Sequence, residues 1–289
     1  MKPKNVLLST KQTAWEYLKN EHDNPADVIP KEELEAIKKG HDAHYTALNH
    51  IRKVLESLGI PYQRVYQPYA AFDEFKDRDL IIAVGGDGTI LNTAHFVLDE
   101  TPVLTVKSEP KSIGGLCTIN YTQFEDAMKN IIADKLKIEK WSRVEGSMGN
   151  KADLALNDLM IGPRYRSGAA RYEISFNGIK EAQLSSGLII CSGCGSSAWY
   201  RHIAGNEGIF PRDANELRFI ATEYDTSKGY RLAKGAIKQG ESIKIRSLMS
   251  INGAVSFDGD SNKRMHKFLT GNEIEVFLSK KPLHVIRAL

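Results

Sequence analysis

The run Gly85-Gly86-Asp87-Gly88-Thr89 sets one carboxylate among three glycines. Backbone N–H groups that no Cβ shields form a cradle for phosphate, above all where a helix begins. A carboxylate is a poor choice for passive anion binding, because like charges repel. It suits a loop that orients a metal–nucleotide or takes a proton from an attacking hydroxyl. Gly85, Gly86, Gly88 and Thr89 are therefore candidates for ATP or phosphate contacts, and Asp87 for catalysis. Just before them, Leu80-Ile81-Ile82-Ala83-Val84 is apolar and branched, as in a buried parallel strand. Thr89 can serve as the N-cap of a following helix that carries Ile90, Leu91, Ala94 and Val97. The pattern is strand, glycine loop, helix.

A second segment, Ser185 to Tyr200, again runs a strand into a glycine loop, with hydroxyls in place of the carboxylate. Its Ser186, Gly187, Gly193, Gly195, Ser197 and Ala198 can meet phosphate, ribose or an amide edge, and Trp199 can stack on a base. The same residues also suit a tight turn between a strand and a short helix. Asn157-Asp158 follows the apolar Leu154-Ala155-Leu156. Asn pairs with a base or amide edge and Asp accepts from ribose hydroxyls, although alone the pair reads as a turn at a strand end. Asn252-Gly253 and Asp258-Gly259 are turn signals that can also present a polar side chain to a ligand. Arg164, Arg166 and Arg171 can meet phosphates or simply face water. No metal site is expected. Cys191 and Cys194 have C-x-x-C spacing but no second pair to complete a zinc site, and His41 and His44 suggest no third ligand.

These groups need elements to position them. Asn5–Ser9, Pro61–Tyr66, Leu80–Val84 and Pro102–Val106 read as strands. Between them Thr10–Asn20 reads as a short helix, and Pro30 opens a long one. That helix has Leu34, Ile37, His41, Leu48, Ile51, Leu55 and Leu58 at helical spacing and stops at Gly59. Strands separated by helices imply a doubly wound parallel sheet, whose ligands sit at the strands' carboxyl ends. Tyr121–Ala133 reads as a further helix. From Lys135 on the periodicity is mostly two, and Asn177-Gly178 is a hairpin signal. The expected division is residues 1–118, an α/β nucleotide-binding domain, and 119–289, a β-rich antiparallel dinucleotide-binding domain.

The chain has 289 residues, enough for two cores, and a net charge of +3, too small to argue for nucleic acid or a membrane surface. Three cysteines, an odd and low number, do not read as a disulfide framework and imply a reducing compartment. Apolar runs stay well short of the ~20 residues of a membrane span. The start, Met1 to Leu8, reads as a first strand rather than a signal peptide. The expected location is the cytoplasm, or the mitochondrial matrix if a presequence has been removed.

Taken in order, Gly85 to Thr89, Asn157-Asp158 and Gly193 to Trp199 resemble the NAD kinases. Ser-Ser-Gly at Ser185, with Tyr172-Glu173-Ile174-Ser175 before it, is most similar to the divergent mitochondrial-type branch. The first motif alone is shared with diacylglycerol and sphingosine kinases and with 6-phosphofructokinases. The resemblance implies transfer of the ATP γ-phosphoryl group to the 2′-hydroxyl of the adenosine ribose of NAD, giving NADP. It also implies Mg²⁺ or another divalent cation and a homodimer or homotetramer. Carried over, Asp87 contacts the hydroxyl, and Gly86, Gly88 and Thr89 line the ATP phosphates. Asn157 and Asp158 hold the dinucleotide, and Ser197, Ala198 and Trp199 line its adenine or nicotinamide side. The chain departs from the larger branch at Ser186-Gly187, where Asp-Gly is usual, and at Trp199, where Tyr is usual. Asn252-Gly253 also stands where Asp-Gly is usual, unless Asp258-Gly259 is the counterpart. These departures bear on the nicotinamide-side contacts and on the choice between NAD and NADH. A lipid kinase using the first loop, and a non-catalytic dinucleotide sensor, are the alternatives.

Overall fold

The computed structural model describes residues 2–111, 113–165, 168–259 and 264–287, so Arg166 lies outside the described residues. The chain divides into two compact units, Met1–Glu139 with His284–Leu289, and Lys140–Leu283.

The first unit is α/β. Its elements are β1 (Val6–Thr10), α1 (Ala14–Glu21), α2 (Lys31–Ser57), β2 (Tyr62–Tyr66), β3 (Leu80–Gly85) and α3 (Asp87–Phe96). Then come β4 (Val103–Lys107), β5 (Ile119–Asn120), α4 (Phe124–Ile132) and β6 (Lys137–Trp141). The sheet runs β2-β1-β3-β4, then the chain's last strand Leu283–Arg287, then β6. From β2 through β4 to the last strand the strands pair in parallel. Five-residue β1 and six-residue β3 are buried throughout, which explains their unbroken apolar runs.

Local signals set the helices. Thr13 and Glu16 form a capping box at the start of α1. α2 ends in a Schellman motif, with Ile60 N–H donating to Leu55 O at 2.9 Å and Gly59 N–H to Glu56 O at 3.0 Å. Gly59 takes the left-handed φ of 59° that this stop needs. Of the two helical histidines, His41 Nδ1 lies 2.8 Å from Thr13 Oγ1, whereas His44 is buried among the packed residues of α2.

Two expectations change here. α4 packs Phe124, Ala127, Met128 and Ile131 into the same core as Leu48, Ile51 and Leu55 of α2. The division therefore falls after Glu139 rather than after residue 118. β6 was expected in the antiparallel domain but lies at the far edge of the parallel sheet, with only Trp141 of its five residues buried. A half-solvated edge strand alternates in any sheet, so its period does not say which sheet it joins.

The second unit is a sandwich of antiparallel sheets. Its strands are β7 (Val144–Met148), β8 (Lys151–Ala155), β9 (Asp158–Pro163), β10 (Ala170–Phe176), β11 (Ile179–Ser185) and β12 (Gly187–Cys191). After the short α5 (Trp199–Ala204) come β13 (Glu216–Thr222), β14 (Lys234–Lys238), β15 (Ser242–Ser247), β16 (Gly253–Phe257), β17 (Met265–Lys267) and β18 (Glu273–Leu278). One sheet runs β11-β10-β15-β18-β7-β8 and the other β14-β13-β12-β9-β16-β17. Tyr172, Ile174, Ile245 and Val276 from the first share one core with Leu159, Ile161, Leu188 and Phe219 from the second. Asn177 and Gly178 both take positive φ, 47° and 74°, as a type I′ hairpin between β10 and β11 requires.

Candidate active site

In the α/β unit the glycine loop stands at the carboxyl edge of the sheet. The chain leaves β1 for β2 on one side and returns as β3 on the other. Ligand crevices of doubly wound sheets open at this switch of direction. Thr89 is not the N-cap of α3. The cap is Gly86, extended at φ −119°, and Asp87 already lies in the first turn. Thr89 N–H donates to Gly86 O at 2.9 Å, and its side chain fills the space a larger Gly85 would need. A Cβ on Gly85 would stand 2.1 Å from Thr89 Oγ1, whereas Gly86 and Gly88 face open space. Gly85 is thus required by packing. Gly86 and Gly88 are the glycines that leave room for a ligand.

Asp87 is held from outside its own loop. Gly115 N–H donates to its Oδ2 at 2.9 Å and Leu116 N–H to its Oδ1 at 3.0 Å. A Cβ on Gly114 would stand 2.8 Å from Oδ1. The pair Gly114-Gly115 is therefore part of the site, and its two adjacent glycines were the signal for it in the sequence. Below the loop, Gln67 Nε2 donates to Thr89 O at 2.9 Å, Thr93 Oγ1 at 3.0 Å and Ser9 Oγ at 3.2 Å, which pins α3 to β1. Burial, with the Asp87 charge adding, pushes the Cys117 thiol up to about 11, so this cysteine fills space as a neutral thiol.

In the β unit the sequence candidates fall into two groups. Cys191 pairs with Asp158, and Leu159 with Phe257, so one end of the sheet gathers Asn157, Asp158, the Ser192–Ser197 loop and Asp258. Ser192 ties the loop down. Its N–H donates to Asn157 O at 2.9 Å, and its hydroxyl donates to Leu156 O and accepts from Cys194 N–H at 3.1 Å. A Cβ on Gly195 would lie 2.1 Å from Asn157 O, and one on Gly193 1.9 Å from Pro211 O. Ser197 is exposed beside half-buried Ala198 and Trp199. Asn157 Oδ1 is buried without a hydrogen-bond partner, an acceptor that a ligand N–H or O–H can satisfy.

Asp258 organises this end. Its carboxylate accepts from Leu156 N–H at 2.9 Å, Asn157 N–H at 2.6 Å, Asp158 N–H at 3.3 Å and Arg264 Nη1 at 3.3 Å. Ser186, Gly187 and Asn252 are elsewhere. Gly253 pairs with Pro163, and Leu188 with Ile161, at the opposite end of β9. Ser186 and Ser192 bracket β12, about 20 Å of extended chain. Ser186 lines a surface pocket with Glu223, Asp225, Lys228 and Tyr230. Asp258-Gly259, not Asn252-Gly253, is the turn that stands with Asn157.

Burial, reinforced by the negative Asp258, pushes the Asp158 carboxyl up to about 7. Its folded value thus lies above the unfolded one, so the folded chain holds a proton that the unfolded chain has released. The stability this contributes is full below about pH 4 and is lost as pH rises to about 7. Asp158→Asn mimics the neutral form. Its melting temperature is expected to gain on the wild type by at least about 2 °C between pH 5 and pH 8. Parallel melting profiles across that range would refute this.

An aspartate-bearing glycine loop on a parallel sheet, followed in the chain by an antiparallel sandwich, is the arrangement that the resemblance to nucleotide phosphotransferases implies. Residues 5–135 match the family model of the ATP-NAD kinase N-terminal domain. A probable NADH kinase of Oryza sativa subsp. japonica is 27% identical over 271 residues, covering 84% of this chain and 81% of the rice protein. The mitochondrial NAD kinase 2 of Rattus norvegicus is 28% identical over 253 residues, covering 68% of this chain. The alignment spans 60% of the rat protein's length. A crystal structure of an NAD kinase from Archaeoglobus fulgidus in complex with ATP superposes with a TM-score of 0.68 at 17% identity. It covers 97% of this chain and 92% of that one, and so has the same fold. The chain is similar to NAD and NADH kinases over most of its length, and its residues 5–135 carry the ATP-NAD kinase N-terminal domain.

Proposed function

We propose that this protein is an NAD kinase, transferring the γ-phosphoryl group of ATP to the 2′-hydroxyl of the adenosine ribose of NAD. The observation that carries the reading is Asp87. It is a half-buried carboxylate at the first turn of α3, held by two backbone N–H groups and placed inside the phosphate loop of the family domain. Asp87 orients the ribose hydroxyl and accepts its proton. The hydroxyl oxygen then bonds to the γ-phosphorus, the β–γ bridging bond breaks, and ADP leaves. Gly86, Gly88 and the first N–H groups of α3 receive the donor phosphates. Asn157 and Asp158 hold the dinucleotide, with Ser197, Ala198 and Trp199 beside its rings. Asp258 braces Asn157 from its own turn, whereas Asn252 stands at the other end of β9.

The described residues contain no group of three or more His, Cys, Asp or Glu side chains that could cage a metal ion. Asp87 is the carboxylate that would orient a Mg²⁺ carried by the donor nucleotide, and such a cation would supply neutralisation of the developing phosphate charge. Among the described residues no helix is long and apolar enough to cross a membrane. Three free thiols support a reducing compartment, cytoplasm or mitochondrial matrix, and a homodimer or homotetramer is the assembly to look for.

The deciding experiment is a coupled assay of NADP or NADPH formation. It varies donor (ATP, polyphosphate) and acceptor (NAD, NADH, diacylglycerol) independently. Formation of NADP or NADPH from ATP supports the reading. Tight dinucleotide binding with no product under every donor and metal would overturn it in favour of a sensor. A contrast of glycines checks the loop. Gly86→Ala meets nothing within 4 Å and is expected to raise the KM for ATP while changing stability by less than about 0.5 kcal/mol. Gly195→Ala, blocked by Asn157 O at 2.1 Å, is expected to cost about 1–3 kcal/mol. Thermal melts and ATP titrations of both variants would separate the two effects.

A further inference from the structure

The carboxyl edge of the parallel sheet carries a lysine on each side of the glycine loop. Thr10 of β1 pairs with Val84 of β3, so Lys11, the next residue, is level with Gly85. On the other flank Lys107 of β4 pairs directly with Gly85. The two lysines have different surroundings. Lys107 Nζ donates to Gly114 O at 3.2 Å, which braces the segment whose N–H groups hold Asp87. Lys11 is half-buried, and its charge is felt both at the Cys117 thiol and at the His44 imidazole. Cys117 Sγ in turn lies 3.7 Å from Gly85 O. Lys11 thus stands at the carboxyl end of β1, beside the strand that delivers the loop. Among the described residues no carboxylate forms an ion pair with Lys11.

A half-buried cation without a counter-charge is costly unless a ligand supplies one. The position supplies the rest of the argument. β1 and β3 are the strands between which the winding direction switches, so Lys11 and Gly86 occupy the two walls of the crevice where a doubly wound sheet receives a nucleotide. The loop itself brings a negative carboxylate, Asp87, towards a polyphosphate. A cation on the opposite wall offsets that repulsion.

We propose that Lys11 is the cationic contact for the phosphates of the donor nucleotide, binding them from the β1 side while the N–H groups at the start of α3 bind them from the β3 side. The proposal rests on the kinase reading above. As a mobile point charge, Lys11 tolerates the shift of charge from the γ- to the β-phosphate during transfer.

The test uses the full chain as wild type, Lys11→Gln and Lys11→Arg. Initial rates of NADP formation are measured with ATP varied at saturating NAD, and with NAD varied at saturating ATP. Equilibrium binding of ATP is measured separately by calorimetry. Loss of one charge-assisted contact is expected to weaken ATP in Lys11→Gln by roughly 10- to 100-fold, in both KM and Kd. The KM for NAD should stay within about twofold and the melting temperature unchanged, and Lys11→Arg should bind ATP more tightly than Lys11→Gln. The proposal is overturned if ATP binding changes by less than about threefold, if NAD weakens equally, or if Arg performs no better than Gln. A wild type that makes no NADP overturns the kinase reading instead, and the calorimetric comparison still decides the role of Lys11.

Discussion

Asp87→Asn is expected to lower kcat by roughly 10²- to 10⁴-fold while leaving the KM for NAD within about twofold. The asymmetry follows from where the carboxylate sits. Asp87 belongs to the α/β unit, and the residues proposed to hold the dinucleotide belong to the β unit. Removing the charge therefore leaves the proposed contacts of Asn157, Asp158, Ser197, Ala198 and Trp199 in place. It does remove the group proposed to accept the proton as the ribose oxygen attacks, an interaction that matters only in the transition state. The amide has a further consequence at the other side of the residue. It retains one acceptor oxygen, so it can satisfy Gly115 N–H or Leu116 N–H, and its NH₂ group then faces the remaining donor. The segment from Gly114 to Leu116 must give way there. Part of the lost rate is thus positional, and Gly114→Ala provides the comparison. It keeps the carboxylate but crowds Oδ1 at 2.8 Å, and a far smaller loss of kcat is expected. Steady-state rates for the two variants at matched melting temperature separate chemistry from positioning. Near-full activity in Asp87→Asn would remove Asp87 from the mechanism.

Much of this site is written locally in the chain. Leu80 to Val84 reads as a buried strand and the glycine run as a break before a helix, so the order of strand, turn and helix follows from composition, although Gly85 ends β3 and Asp87 and Gly88 already belong to α3. The helix start was harder. Thr89 is the better N-cap by residue type, but Gly85 is so tightly packed that Thr89 is drawn into the first turn to cover it, and Gly86 takes the extended conformation of the cap. The partners of Asp87 lie 28 and 29 residues further on, across β4, and no short-range pattern announces them. Asn252-Gly253 and Asp258-Gly259 show the same limit most plainly. Asn252 and Asp258 both adopt left-handed φ, 57° and 53°, and each is followed by glycine, so turn chemistry treats them alike. What separates them is the antiparallel register of β16 on β9, which sends one turn to the Pro163 end and the other to the Asp158 end. Register is a property of two strands nearly a hundred residues apart. For the same reason Ser186 looks continuous with the Gly193 loop in sequence yet stands at the other end of β12.

Asp258→Ala is expected to cost about 3–5 kcal/mol of stability, the largest effect of any single substitution proposed for this chain. The Asp258 and Arg264 side chains are 1% and 3% exposed, so the alanine takes a carboxylate away from a buried guanidinium. It also withdraws the acceptor of three consecutive backbone N–H groups, Leu156, Asn157 and Asp158. The turn is the one that presents Asn157, so dinucleotide binding should fall with stability. Two further variants distinguish a charge effect from loss of the turn. Asp258→Asn keeps one acceptor oxygen and should fall between the wild type and alanine. Asp258→Asn combined with Arg264→Met removes the buried cation as well, and should be less destabilised than Asp258→Asn alone if loss of this ion pair dominates. If instead the double variant is as unstable as the sum of the two singles, the backbone turn carries the energy. Urea midpoints at constant slope give these differences directly. A loss below about 1 kcal/mol in Asp258→Ala would mean that water replaces the carboxylate, and that the buried network is not what holds Asn157 in place.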